Sequence, residues 1–451
     1  MATQIATRPI PTVKEAPFVG SLFEFNIHRL ELFQRVAQEC GDVGLLHFGP
    51  FPFLVFNAPE FVHRIFVENA SDFDKGIFFH NAFRPVIGEG LFISEGDVHR
   101  RHRKMMAPSF QPRQIKNYAD AMVQYSEQIQ NTWQDEALID IGKEMTHLTM
   151  SIVGKVLFDA EVMTEADELG SAMTVMLEHP NYMLSHLFPI PYSWPIPRHQ
   201  RTRKAIAILK DKMWQMIKER RSSAEQKDDF LSILLQAREE DGSSMNDEQI
   251  YDEVITLFGA GHETTATALT WAWYLLAQHP ESYHKVQQEV DSVLQGRSPV
   301  YDDLANLPYC LQVFKEAMRL YPPAYAISRV ALHDMEIGGY QVKKDQSVIV
   351  LPYLLHRKPE YFPDPEKFDP ERFIPENEKA LPRYAYLPFG AGPRICIGNH
   401  FAMMEGHLLL ATLAQRTTFD LLPGQHPLPD PMKTVTIRPN KPIRMAVRKR
   451  Q

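Results

Sequence analysis

FGAGPRICIG, residues 389–398, has the makings of a loop that presents one side chain. Gly390 and Gly392 let the backbone turn where a side chain would clash, and Pro393 stiffens the exit. Cys396 follows at the mouth of a helix, which is predicted from Phe401, Met404, Glu405, Leu408 and Ala411 recurring at helical spacing after Gly398. Unpaired N–H groups and the positive end of the helix dipole favour thiolate over thiol there, so Cys396 is a candidate iron ligand. Taken alone, Cys396 also reads as a packed core cysteine in a glycine-rich loop.

The flanking residues choose between the two. Phe389, Gly392, Arg394, Cys396 and Gly398 satisfy Phe-x-x-Gly-x-Arg-x-Cys-x-Gly, which resembles the haem-binding signature of the cytochrome P-450 superfamily. In that family a cysteine thiolate pushes electron density onto the haem iron and favours cleavage of the dioxygen bond. The resemblance makes Cys396 the axial metal ligand and Phe389, Arg394 and Gly398 its cofactor-binding neighbours.

A long helix is predicted from about Asn246 to Gln278, with LFGAGHETTATAL at its middle. Gly259 and Gly261 each cost a helix roughly 1 kcal/mol against alanine, so a close neighbour must compensate. That neighbour is either another helix or the distal face of a haem. Thr264 can hydrogen-bond back to the Ala260 carbonyl and open a notch in the ladder. Ala-Gly-x-Glu-Thr-Thr resembles the oxygen-activating motif of the family, which implies catalytic proton delivery by Glu263 and Thr264 with Ala260 against the cofactor.

Two further signatures lie in the expected order. In GDVHRRHRKMMA, residues 96–107, His99 and Arg103 stand four apart on one helical face, otherwise the mark of a solvated basic helix. The family pattern of Trp or His, three residues, then Arg implies that both contact a haem propionate, with Arg100, Arg101 and Lys104 facing outward to help dock an acidic electron donor. In LQVFKEAMRLY, residues 311–321, Glu316 and Arg319 share a face, alone an ordinary surface pair. Followed by Pro322-Pro323 and Pro370-Glu371-Arg372-Phe373, they resemble the Glu-x-x-Arg and Pro-Glu-Arg-Phe segments, which implies a buried structural cluster of Glu316, Arg319 and Arg372.

Elsewhere, Val43–Phe48 and Phe53–Phe56 read as a hairpin, residues 59–69 as a helix, and residues 324–331 and 347–350 as strands. Phe73 to Ile93 follows no clean period; it is either core packing or, by the resemblance, the mobile loop lining the distal pocket. Proline density between Pro180 and Pro197 forbids a regular helix, leaving a packed connector or a lid over substrate access. The resemblance places Arg329 on a propionate, with His356 another candidate. It borders the substrate pocket with Phe83, Val86, Ala260, Thr265, Ala324, Tyr325, Ala326, Ile327 and, more weakly, Val435. Residues 434–437 and 443–447 suggest a final hairpin.

At 451 residues the length suggests about three domains, yet no convincing linker divides the chain. The polar runs 225–229 and 239–249 read as inter-helix loops, so residues 1–451 are expected to form a single domain. A net charge of -8 gives no reason to expect nucleic acid or an anionic membrane as partner. Cys40, Cys310 and Cys396 are too sparse for a disulfide framework and fit a reducing compartment. The N-terminal residues lack an apolar signal region, and no run approaches the ~18 to 20 apolar residues that span a bilayer. The expectation is a soluble, cytoplasmic, monomeric protein of microbial type with no membrane anchor.

The expected fold is mainly α with a minor β region, holding haem b between the long helix and the cysteine loop. The expected activity is a monooxygenase that inserts one oxygen atom from dioxygen into a lipophilic substrate by hydroxylation or epoxidation. No flavin or iron–sulfur domain is read after the final hairpin, so reduced nicotinamide would act indirectly, through a ferredoxin or flavodoxin with its reductase. A peroxide-driven peroxygenase, a haem-thiolate isomerase and a haem-based gas sensor are the alternatives. Fatty acids, terpenoids, steroids and polyketides all remain open; Arg84 is the one weak cation for a substrate carboxylate.

Overall fold

The structure is a computed structural model that describes residues 8–450, apart from 187, 224–226, 228, 239–241 and 243. Residues 225, 226 and 228 of the first expected loop and 239–241 and 243 of the second lie outside the described residues, while 247–249 of the second already belong to the central helix. Asn246 starts the central helix, Asp247–Gln278, through a reciprocal cap: its side chain accepts the Gln249 N–H, and Gln249 accepts the Asn246 N–H, both at 2.9 Å. Asp247 and Glu248 complement the dipole of the first turn. Most of the helix beyond Glu253 is buried, as expected of an element that crosses the core.

The helices Ile141–Phe158 and Ala166–Ser185 lie against its back. A Cβ on Gly259 would stand 3.3 Å from Met173 Sδ, and one on Gly261 3.1 Å from Val153. Both glycines are thus explained by helix packing, the first of their two readings.

The minor β region is a five-stranded sheet in which Val43–Phe48 pairs with Phe51–Phe56, then Ser347–Val350, Ile327–Ala331 and the short Phe73–Asp74. Three expectations need correction. Residues 76–87 form a helix, not a loop, because Phe83, Val86 and Ile87 turn into the core while Phe79 and Phe83 stack at 4.4 Å. The helix Ala166–Ser185 continues past Pro180 for another turn, its end held by buried Asn181 and Ser185. Residues 434–437 and 443–447 do not pair with each other. Arg444–Lys449 lies between Thr417–Leu421 and Leu138–Asp140, and Arg438–Pro439 pairs with Pro429–Asp430.

Glu316 and Arg319, on the helix Pro308–Leu320, are fully buried and joined by two hydrogen bonds of 2.6 and 2.8 Å. Arg319 also donates to the carbonyls of His356, Pro365 and Lys367, and Glu316 accepts the Asp369 N–H at 2.9 Å. Arg372 reaches Glu316 at 3.5 Å and donates to the Asp364 carbonyl. His356, whose carbonyl Arg319 holds, accepts the Leu387 N–H at 2.7 Å on Nε2. The buried pair thus fixes the chain just ahead of Phe389. His356 is part of this brace instead of a propionate neighbour, and burial followed by Arg319 pushes its imidazole down to about 3.

Glu316→Gln would leave the Arg319 charge buried and unpaired, which costs about 3–5 kcal/mol. A urea denaturation midpoint well below wild type is expected; an unchanged midpoint would show that the pair does not hold the fold.

Candidate active site

The cysteine loop lies against another backbone. Gly390 and Gly392 have φ of 69° and 68°, and a Cβ on Gly392 would stand 1.7 Å from the Phe66 carbonyl oxygen. Only glycine permits that approach. The Cys396 N–H donates to the Phe389 carbonyl at 2.9 Å, and Gly398 caps the helix Asn399–Arg416. The Cys396 side chain is exposed along one side, yet lies deep enough that burial pushes its thiol up. The Gly398 N–H and the Arg103 guanidinium pull the other way without prevailing. The helix terminus favours the thiolate, as the sequence suggests, but burial outweighs it; a bound metal cation would supply the remainder.

On the central helix, Ala260 is exposed and Thr264, one turn later, is half-buried, although their neighbours are packed. The two mark the one stretch in the middle of this helix that protein does not cover. The Thr264 hydroxyl donates to the Ala260 carbonyl at 3.1 Å, the back-bond that the spacing suggests. Thr265 instead turns towards Glu405 on the helix that follows the cysteine, so it does not border the pocket. Glu263 is buried on another side. It accepts Thr436 Oγ1 at 2.7 Å and Arg438 Nε at 2.6 Å, and a second Arg438 nitrogen pairs with its other oxygen. Burial raises the Glu263 carboxyl, but the Arg438 charge outweighs it and the net shift is downward, so Glu263 is ionised at neutral pH.

Basic side chains gather beside the cysteine loop. His99 and Arg103 lie on the helix Gly96–Met106, Arg329 on the strand Ile327–Ala331, and Arg394 in the cysteine loop. Lys75, which sequence reading missed, joins them. Burial and then the Arg394 charge push Arg329 down to about 10 and His99 down to about 3. Burial, Arg394 and Arg329 likewise depress Lys75. Arg394 pairs with Glu95 and donates to the Ser94 carbonyl at 2.7 Å, whereas among the described residues Arg329 meets only the Ser328 carbonyl and the Phe66 ring. Cations that depress one another around a shortage of carboxylates suit a group bringing its own anions, as the two propionates of haem do. A lone cysteine also suits a metal whose other ligands come from a macrocycle: among the described residues no cluster of three or more His, Cys, Asp or Glu could hold an ion.

Of the other pocket residues, Ala324 is exposed and Ala326, Ile327 and Val435 are half-buried. Phe83, Val86 and Tyr325 are packed into protein. Arg438, Glu405 and Arg29 had no local signal in the sequence.

The family model described as "Cytochrome P450" matches residues 10–447, and the chain belongs to that family. It is a haem monooxygenase whose iron takes a cysteine thiolate. Cyclooctatin synthase of Streptomyces melanosporofaciens is 36% identical over 89% of this chain and 88% of its own length. Pentalenene oxygenase of Streptomyces avermitilis is 32% identical over 93% of both. Among solved structures, the retinoic acid-bound cyanobacterial CYP120A1 superposes with a TM-score of 0.87 at 25% identity, over 98% of this chain and all of the other.

Glu405 provides a pH test. Its carboxyl oxygens have no hydrogen-bond partner among the described residues, and burial raises it from the ordinary 4.5 to about 8, with Thr265 pulling slightly down. The folded chain therefore holds this proton more tightly than the unfolded chain. The resulting stability is full below pH 4.5 and is lost as pH rises through about 8. Glu405→Gln should gain stability relative to wild type by about 1.4 kcal/mol per pH unit across that window. Thermal unfolding of both holoproteins across this window checks it, and a parallel pH dependence would contradict it.

Proposed function

We propose that this monooxygenase hydroxylates or epoxidises a lipophilic substrate, drawing electrons from reduced nicotinamide through a separate ferredoxin or flavodoxin and its reductase. One observation carries the reading: Ala260 and Thr264 are the open face of an otherwise packed helix, and both the alanine and the threonine methyl are small and apolar. Such an apolar space with few polar groups suits a lipophile. Pentalenene and retinoic acid, in the names of the relatives, are lipophilic isoprenoids and support the same class.

When bound, haem supplies the dioxygen-activating chemistry. On the chain's side, Cys396 would hold the iron, Arg103, Arg329, Arg394 and Lys75 would offset the propionate charges, and His99, uncharged at neutral pH, would offer a hydrogen bond. Thr264 donates to the Ala260 carbonyl, so its oxygen lone pairs remain free to accept a proton-bearing partner in the space. Glu263 holds negative charge one residue away and relays protons from solvent after release from Arg438 and Thr436. Its ion pair makes that release a step of its own. Glu316, Arg319 and Arg372 act only by fixing the loop.

Reconstitution with reduced nicotinamide, a ferredoxin or flavodoxin and its reductase should support product formation; equal turnover with hydrogen peroxide alone would favour a peroxygenase instead. In the first system Thr264→Ala should lower product formation by roughly one to two orders of magnitude. Electrons should then appear as hydrogen peroxide while substrate-induced haem spectral shifts persist. Unchanged product yield would remove Thr264 from proton delivery.

A further inference from the structure

The central helix holds residues 88–91 through two neighbouring carboxylates. Asp252 accepts the Glu89 N–H at 2.8 Å, and fully buried Glu253 accepts the Leu91 N–H at 2.9 Å. Two glycines let the segment lie this close. Gly88, at a φ of 61°, follows the helix Gly76–Ile87, and a Cβ there would stand 1.8 Å from Asp252 Oδ1. A Cβ on Gly90 would stand 2.2 Å from Thr256 Oγ1 and 2.6 Å from the Asp252 carbonyl oxygen.

The two carboxylates are compensated differently. Glu253 Oε1 lies 2.6 Å from His102 Nδ1, on the helix Gly96–Met106. Among the described residues Asp252 pairs with no basic group. Glu248 and Glu253 flank it on its own helix, and Glu89 faces it from the segment. Arg84 pairs with Glu89 at the surface, which also removes it as a holder of a substrate carboxylate. On the side of the helix Pro197–Ser222, Trp214 stacks on Tyr251 and Lys210 lies over the Tyr251 ring. Burial raises the Asp252 carboxyl to about 6; the Glu89 N–H pulls it down, and the neighbouring carboxylates push it up.

The covered face leads to the active site. Asp252, Thr256 and Ala260 follow one another at single-turn spacing. The Thr256 hydroxyl, against Gly90, is buried with no hydrogen-bond partner among the described residues, whereas Ala260 is uncovered. Lifting residues 88–91 would therefore extend the open stretch from Ala260 back to Thr256.

We propose that residues 88–91 form a gate beside the Ala260–Thr264 site, held shut by Asp252 and loosened when Asp252 loses its proton. In the shut gate an ionised Asp252 faces other carboxylates in partial burial, and in the open gate it regains water. A carboxyl raised above its ordinary 3.8 holds its proton more tightly shut than open. The shut state thus has its full advantage below pH 3.8 and loses it as pH rises through about 6. Asp252 is only half-buried, so solvent screening limits the change in open population to roughly tenfold.

Hydrogen exchange in the holoenzyme, corrected for the intrinsic pH dependence of amide exchange, tests the gate. Between pH 4.5 and 7 the protection of the Glu89 and Leu91 amides should fall roughly tenfold in wild type, while the helix Asn399–Arg416 keeps its protection. Asp252→Asn, which retains an acceptor oxygen without the charge, should hold protection high throughout. Binding of tert-butyl isocyanide, neutral at every pH, to the reduced holoenzyme should quicken across the same window in wild type and stay slow in Asp252→Asn. Gly90→Ala, which drives a methyl group into Thr256, should exchange and bind fast even at pH 4.5. Should Asp252→Asn fail to fold, Glu89→Gln removes one of the like charges and should flatten the pH dependence. Protection in wild type that ignores pH, or a pH dependence that survives Asp252→Asn, overturns the latch. Isocyanide rates indifferent both to pH and to Gly90→Ala overturn the gate, as does a loss of protection spread evenly over the whole chain.

Discussion

A negative sulfur at the depth of Cys396 is electrostatically unfavourable, and the rest of the site exists to make it tenable. Burial works against the charge, and the Gly398 N–H and Arg103 offset only part of that cost. A cation bonded to the sulfur would supply the remainder. The same low-dielectric surroundings that disfavour an isolated thiolate strengthen its interaction with a metal and keep water from competing for it. The loop must therefore be stiff before the cofactor arrives, which is why Gly392 admits the Phe66 carbonyl where any side chain would collide.

Stiffness at the loop is borrowed from further away. The buried Glu316–Arg319 pair holds the His356 carbonyl, and the His356 ring holds the Leu387 N–H two residues before Phe389. Thr265, the residue after Thr264, turns away from the space towards Glu405, so the helix bearing Thr264 and the helix following Cys396 meet on their packed sides. The charges divide by task. Arg438 confines the Glu263 carboxylate, Lys75, Arg329 and Arg394 await anions, and Arg29 stands apart from both groups among neutral partners.

Much of this was legible where the chemistry is local. The cysteine loop, the Ala260–Thr264 back-bond and the Glu316–Arg319 pair are each written within a few residues, and helical spacing places them. What depends on distant segments was not legible. Arg29 reaches Pro431 across 402 positions and Arg438 reaches Glu263 across 175, and nothing beside either arginine marks its partner. Lys75 sat in a segment read as a loop because the aromatic residues of 76–87 serve two surfaces and blur the helical period. The final hairpin failed for a related reason: residues 443–447 look like a strand but take partners from 138–140 and 417–421, which spacing cannot reveal.

The most direct measurement is the absorption spectrum of the reduced carbon monoxide adduct of fresh, full-length protein reconstituted with haem. Wild type should show the red-shifted Soret band of a thiolate-ligated iron, and Cys396→Ser should lose it while circular dichroism stays native. A wild-type adduct absorbing like a histidine-ligated globin, or a protein that retains no haem, would contradict the account.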